Sequence, residues 1–390
     1  MVTGDYPMMA KAIAKQVHIL TPEILEMNGI DTFKIEKDAN DIDFMDDFLW
    51  DWVLSYQELV FTRISPEHKL RIVSEFQRRA EIVAVTDNRA KDVPALKCAH
   101  LGVAIQFDIE VSKEAGDIIL LDNNFSSIIQ AIETGRLLSD NLKKVAVYRL
   151  PEGSWSQIWP VFFNLWFGMP LALSALWATV FCMLNDVVMS LAVVTEKPNR
   201  DIMSRPPSIH GKDHLLNIKL LIHAYLFVGI LECFTAFFCF CYYWIDNDVP
   251  FYSFVFTYEK FGLNSTTPYT MDQLQSMTNV AQFVYYCSMC LFQFFNFFST
   301  RTRYTCIFQH NPFWGKGQNL YIFGAMFMSI AIQLFFTQIG WFNRVLGTGR
   351  VPAKYVMPTL GFGMLWLIID ELRKFCIRKY PRSLLARIAW

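Results

Sequence analysis

The chain is 390 residues long, 53% apolar and almost neutral, with a formal net charge of −1. That balance excludes an electrostatic nucleic-acid binder, and 35 Phe concentrated after residue 160 exclude an ordinary soluble composition. The nine Cys lie mostly in or beside apolar runs, so no secreted disulfide framework is expected, and Cys287-Ser-Met-Cys290 reads as helix packing.

Met1-Val-Thr-Gly-Asp5 offers neither a basic flank nor an apolar core, so no signal peptide is expected. Short β-branched runs at Ile82–Thr86, Gly102–Ile105 and Asp117–Leu121 predict buried strands of a parallel sheet. Ser65-Pro66 opens a predicted helix that aligns Leu70, Val73 and Phe76 on one face and sets Glu67 four residues before Arg71. This alternation predicts a small α/β domain over residues 1–123. Residues 124–153 then read as a basic stalk helix carrying Arg136, Lys143, Lys144 and Arg149, which enters the first apolar window without a linker.

Windows at 154–168, 172–194, 217–244, 279–299, 319–339 and 355–376 predict a six-span region over 154–376, followed by a tail at 377–390. The first window crosses about 30 Å of hydrocarbon only with help from the stalk. Gly168-Met-Pro170 predicts a tight hairpin between the first two spans. Basic residues after the second, fourth and sixth windows, among them Lys197, Arg301 and Lys374, assign those segments and both termini to the cytoplasm. The opposite loop, 245–278, carries Asp246, Asp248, Glu259 and Asp272, and Asn264-Ser-Thr266 is a glycosylation candidate there. Arg344, Arg350 and Lys354 fall on the outer side and break the pattern. His210 and His214 share a loop but have no third ligand, so no metal site is read from them. Phe292, Phe294, Phe295, Phe297 and Phe298 read as lipid-facing and packing aromatics.

Several strings belong together. Thr3-Gly-Asp5 precedes Ala10-Lys-Ala-Ile-Ala; Thr62-Arg63 runs through Ser65-Pro66 to Lys69-Leu70; Ile119-Leu-Leu-Asp-Asn-Asn-Phe125 is followed by Gly135-Arg136 and Asp140-Asn-Leu-Lys143. Asp201-Ile-Met203 and Asp370-Glu-Leu-Arg-Lys374 flank the apolar region. With these strings nearly the whole chain resembles the C-terminal half of the P-type cation-transporting ATPases, most closely the sodium/potassium-transporting catalytic subunits and their fungal relatives.

The resemblance implies a membrane all-α six-helix bundle preceded by a partial α/β haloacid-dehalogenase-like, Rossmannoid phosphorylation domain. It implies that Lys69 stabilises the transferring phosphoryl group, that Thr3, Gly4 and Asp5 belong to the nucleotide and phosphate region, and that ATP and Mg²⁺ are the cofactors. The family's T-G-D-G-V-N-D loop falls on Thr86-Asp-Asn-Arg-Ala-Lys-Asp92, so Asn88 stands where the first magnesium-binding aspartate is expected and Asp92 alone remains. A neutral amide is a poorer hard-cation ligand than a carboxylate. The family's D-K-T-G-T nucleophile string does not occur in this sequence. Without the strand that carries it, the sheet is expected to have an edge that another chain would cover.

For the ion path the resemblance implies Asp186, preceded by Asn185, on the second span and Gln293 and Asn296 on the fourth, while the residues by themselves also fit an interhelical hydrogen bond at Asp186 and favour helix–helix glue for Gln293 and Asn296. A second family aspartate falls on Cys182, and the glutamate of the first span on Ser156 or Gln157. Phe327 and Met328 occupy a neighbourhood of the fifth span where close relatives carry a carboxylate, and Glu232 in the third span reads as either cavity-facing or paired. The implied partners are lipid, Na⁺, K⁺ or H⁺, and either a pump N-terminal half or an intact pump. A β subunit would dock on loop 245–278, whose S-Y-G-Q string is missing. Two functions are therefore expected: the C-terminal part of a monovalent-cation pump in the plasma membrane that does not hydrolyse ATP by itself, or a catalytically dead pseudo-pump that regulates or scaffolds. Simple truncation would not rewrite residues 87–91, which weighs toward the second.

Overall fold

The computed structural model describes residues 1–20, 45–56, 58–87, 90–105, 116–120, 126–198, 202–205, 214–258, 268–303, 305–307, 318–340, 351–380 and 382–383. Asn88, Arg89, His210, Asn264, Arg344 and Arg350 lie outside the described residues. The chain divides into two compact units, Met1–Ile132 with Pro206–Asp213, and Glu133–Arg205 with His214–Trp390.

In the first unit, α1 (Pro7–Gln16) buries Ala10 and Ala14 on one face. Helix α2 (Asp47–Val53) contributes Trp50 and Val53 to a small core with Phe61, Ile64 and Ile72. Helix α3 (Pro66–Arg78) begins as its sequence dictates: Ser65 Oγ accepts from the His68 amide at 3.3 Å, and Pro66 occupies the first turn, where a missing N–H costs nothing. Strands β1 (Ala84–Asp87), β2 (Leu101–Ile105) and β3 (Ile118–Leu120) form a parallel sheet in the order β1-β2-β3. Helix α4 (Val93–Cys98) makes the crossover between the first two strands, and Gly102 permits its close approach, since a Cβ there would sit 2.8 Å from the Leu96 carbonyl oxygen. Val2 and Phe61 form a separate parallel bridge, and among the described residues β1 has no strand on its outer side.

Helix α5 (Ser126–Leu150), in the second unit from Glu133 onward, runs without a break through a π-helical turn at Pro151–Trp155 into α6 (Ser156–Phe167). Proline removes one backbone donor, and a widened turn absorbs the loss. Gly168 ends α6 in the left-handed region at φ 56°, where a Cβ would also strike Tyr258. The next helix is assembled from α7 (Ala175–Val180), a π turn at Phe181–Asn185 and α8 (Asp186–Val194); the one after from α9 (Ile218–Ile222), a π turn at His223–Gly229 and α10 (Ile230–Asp246). Helices α11 (Met271–Thr300), α12 (Tyr321–Gln338) and α13 (Met357–Lys379) complete the unit.

Among the described residues four stretches are long and apolar enough to cross a membrane: Ala175–Val194, Ile218–Asp246, Tyr321–Gln338 and Ala353–Lys379. The other two windows read from the sequence are helical as well, but α6 is short by itself and α11 carries too many polar residues to qualify. Helix α11 is instead the buried axis of the unit, packed on α10, α13, α7 and α12. Of the aromatics read from the sequence as lipid-facing and packing, Phe292, Phe294 and Phe297 are buried packing residues. Between apolar helices in lipid, cohesion comes from close contact and interhelical hydrogen bonds. Gly363 on α13 lies directly under the Phe295 ring of α11, leaving no space for a Cβ, and Gly229 similarly accepts the Trp155 ring.

Candidate functional site

The three π turns stand beside three acidic residues. Glu152 lies within the first, Asp186 immediately follows the second, and Glu232 comes three residues after the third. All three side chains are buried. Such turns rotate the following residues against the regular helical register and recur at functional sites. Here they place carboxylates on inward faces of helices whose other faces are apolar.

Asp186 accepts from Arg149 Nε at 3.2 Å through Oδ2, while its Oδ1 is buried without a hydrogen-bond partner. Neither oxygen of Glu152 nor of Glu232 accepts a well-directed hydrogen bond. Ser156 lies beside Glu232, but its hydroxyl donates to the Pro151 carbonyl at 3.2 Å. Glu152 is close enough to feel the charges of both Glu232 and Asp186. Among the described residues no three His, Cys, Asp or Glu side chains converge on one point as a metal centre requires. Glu152 and Asp186 line one cleft, an arrangement suited to monovalent cations or protons held by carboxylates and neutral oxygens.

Neutral donors complete the cleft. Gln293 lines it with both amide atoms unpartnered, and Asn296, one turn further along α11, has an unpartnered Nδ2 while its Oδ1 accepts from Thr300 at 3.4 Å. Asn185 is engaged three ways: it donates to Tyr286 Oη at 2.5 Å and to Cys290 Sγ at 3.5 Å, and accepts from Ser329 Oγ at 2.8 Å. Asn185 thus ties α8 to α11 and α12. Tyr148, Phe181, Met189 and Phe294 form apolar walls.

Sequence reasoning looked for the first-span glutamate at Ser156 or Gln157. Both are occupied otherwise, Ser156 with Pro151 and Gln157 Nε2 with Cys182 Sγ at 3.0 Å, and the carboxylate in the cleft is Glu152, a residue assigned to the stalk and passed over. The signal was present in Pro151-Glu152, since a proline inside a long helix marks a place where the chain departs from regular geometry. Glu232, left undecided by sequence, is fully buried. Phe327 and Met328 are exposed on the apolar outer face of α12, away from the cleft.

Two buried ionic networks brace the same helices. Arg301 at the end of α11 places Nε and Nη2 at 3.1 and 2.6 Å from Glu196 Oε1, Asn319 donates to Glu196 Oε2 at 3.2 Å, and Asn141 of α5 donates to the Val194 and Glu196 carbonyls. Lys144 bonds Asn141 Oδ1 at 3.2 Å, and burial pulls its ammonium below the usual lysine range, with the Glu196 charge partly restoring it. On α13, Asp370 pairs with Lys374 and Arg373, both at 2.7 Å, and accepts from Ser299 of α11. The Asp-Glu-x-Arg-Lys string is therefore a clamp between α11 and α13.

In the first unit, Lys69 Nζ and Asp92 Oδ2 are 2.8 Å apart, and Asp92 Oδ1 is buried without a hydrogen-bond partner. Thr3 Oγ1 donates to Asp5 Oδ2 at 2.8 Å in an exposed turn, and Gly4 lies between them. Among the described residues one carboxylate, already bonded to a lysine, does not make up a magnesium site, which takes an octahedron of oxygens.

Residues 170–376 match the family described as "Cation transporting ATPase, C-terminus". Nearly the whole chain is similar to pump catalytic subunits: 32% identical to the sodium/potassium-transporting ATPase subunit alpha-B of Artemia franciscana (98% of this chain, 40% of the relative), 31% to the sodium/potassium-transporting ATPase subunit alpha of Hydra vulgaris (98% and 39%), and 32% to the human potassium-transporting ATPase alpha chain 2 (98% and 39%). The chain spans about two fifths of the length of the curated relatives it matches. With more than half of its residues inside the matched region, a buried acidic cleft between the helices and apolar stretches able to cross a membrane, the chain belongs to the cation-transporting P-type ATPase family, whose C-terminal part it represents.

Proposed function

We propose that this protein supplies the membrane half of a P-type monovalent-cation pump: six spans over 154–376 with both ends in the cytoplasm of the plasma membrane, carrying a cation site built from Glu152, Asp186, Gln293 and Asn296. The observation that carries this reading is that Glu152, Asp186 and Gln293 line one cleft with buried carboxylate and amide atoms left without hydrogen-bond partners, and Asn296 follows one turn along α11, because such atoms in hydrocarbon are costly unless they meet an ion or a proton. The names of the relatives support Na⁺ or K⁺ as the ions concerned. Residues 1–123 serve as a partial haloacid-dehalogenase-like domain in which Lys69 faces phosphate. ATP and Mg²⁺ chemistry belongs to the assembled pump, because Lys69 and Asp92 by themselves provide neither a nucleophile nor a full metal shell.

A second reading rests on the rewritten residues 87–91: a pseudo-pump that binds an intact pump and regulates it. The two are separated by co-expression with the N-terminal half of a relative. The pump reading expects ATP-dependent phosphorylation of the supplied half once Asn88→Asp is introduced, whereas the protein alone in lipid leaves nucleotide untouched. Hydrolysis by the purified chain, or none in the repaired pair despite assembly, counts against it.

A further inference from the structure

Two helices of the first unit present exposed apolar faces edged by opposite charges. At about 100° of turn per residue, α1 points Met8, Met9 and Ala12 directly away from its buried Ala10 and Ala14, with Lys11 and Lys15 along one edge of that stripe and Ile13 along the other. Met8 is 83% exposed, and the helix carries no acid. Helix α2 is built the same way with the sign reversed: opposite the buried Trp50 and Val53 it turns Phe48 and Trp52 outward, with Asp47 and Asp51 along one edge and Leu49 along the other. Phe48 is 82% exposed. Arg78 and Arg79, at the end of α3, reach the acidic edge at 3.3 and 3.6 Å from Asp51, and Arg78 lies 3.9 Å from Asp47 while also bonding Glu75 at 2.8 Å. With the N-cap Asp46, four carboxylates stand against these two guanidinium groups, so the edge keeps negative charge.

Large apolar side chains gathered on a wet surface mark a place of contact. Crossing α1 over α2 antiparallel brings the two charged edges to the same side, Lys11 and Lys15 toward Asp47 and Asp51, while the apolar stripes close on each other. A parallel crossing puts the charged edges on opposite sides and pairs none of them. We propose that α1 of one copy docks antiparallel on α2 of a second copy, and α2 on α1 in return, which makes the first unit a two-fold dimerisation module. Each face finds its complement on the same unit of an identical chain, the condition for an isologous contact. The contact uses no residue of the cation cleft, so it stands or falls separately from the cation-site reading.

The test is sedimentation velocity of the purified full chain in detergent. The wild type should be a dimer that weakens as sodium chloride is raised, because the charged edges are exposed and screened by salt. Phe48→Ser should raise the dimer dissociation constant at least about tenfold, as loss of a central aromatic contact does. Ile82→Ser, also at an exposed position but off both helices, should leave the constant unchanged. Charge reversal reports the pairing. Lys11→Glu with Lys15→Glu should weaken the dimer, Asp47→Lys should do the same, and mixing the two variants should restore a dimer with one copy of each, since reversed faces then meet each other and unreversed faces meet as in the wild type. A monomeric wild type overturns the proposal. A dimer that keeps its strength in Phe48→Ser and in both charge variants also overturns it, because other surfaces then hold the copies together. Weakening by the charge variants without recovery on mixing overturns the pairing of α1 with α2. Circular dichroism checks that each variant is folded.

Discussion

Arg149 Nε lies 3.2 Å from Asp186 Oδ2, so the end of α5 is bonded to the residue that restarts the helix after the second π turn. The arginine side chain is 48% exposed and the aspartate side chain 0%, which makes the two ends of the bond unequal. Removing Arg149 leaves a buried carboxylate uncompensated, whereas removing the carboxylate leaves an arginine that still reaches polar surroundings. Arg149→Gln should therefore destabilise the protein more than Asp186→Asn does. The double variant should recover part of the loss, with a coupling on the order of 1–3 kcal/mol in thermal unfolding in detergent.

Asn185 serves as a three-helix staple. Asn185→Leu deprives Tyr286 and Ser329 of their partner together and is expected to cost about 2–4 kcal/mol, against about 1 kcal/mol for Ser329→Ala, which removes one bond only. Equal losses in the two variants would contradict the stapling role.

Gly363→Val should break the contact between α11 and α13, because the Phe295 ring occupies the space the side chain needs. A cost of about 1–3 kcal/mol or outright misassembly is expected. Gly361→Ala, two residues earlier on the same helix and facing open space, should be harmless.

In the first unit, Lys69→Met strands the buried carboxylate of Asp92, while Asp92→Asn leaves a lysine with a side-chain exposure of 16% that water can still reach. Proteolysis kinetics should therefore report greater loss of protection for Lys69→Met. The reverse order would show that Asp92 is held by something other than this pair.

Lys144 gives a pH signature. Burial lowers its proton affinity below the ordinary lysine value of 10.5, so in the alkaline window between the lowered value and 10.5 the unfolded chain binds more protons than the folded one. Stability attributable to this residue should rise with pH through that window and level off above it. The difference in melting temperature between wild type and Lys144→Met, followed across alkaline pH, isolates this contribution from the other lysines.

Much of the architecture was legible in local pattern. The three strands emerged within about two residues of where β-branched runs placed them, and Ser65-Pro66 began its helix, because capping and strand propensity act over a few residues. The cleft was harder to read. Glu152 sits before the first apolar window, so a hydropathy criterion assigns it to the stalk, and only the continuous helix through Pro151 carries it inward. The aromatic run of α11 gave the same hydropathy signal whether it faced lipid or neighbouring helices. Its buried position follows from contacts with helices far away in sequence, which composition does not encode. Asn185 drew attention as an ion-path residue, but its bonds depend on Tyr286 and Ser329, more than a hundred residues away.

Equilibrium binding of radioactive rubidium and sodium to the purified chain in lipid, without nucleotide, tests the membrane cation site most directly. The account expects saturable binding that Glu152→Gln and Asp186→Asn each weaken by at least about tenfold, equivalent to roughly 1.4 kcal/mol. Absence of binding, or binding that both folded variants retain at wild-type strength, would contradict it.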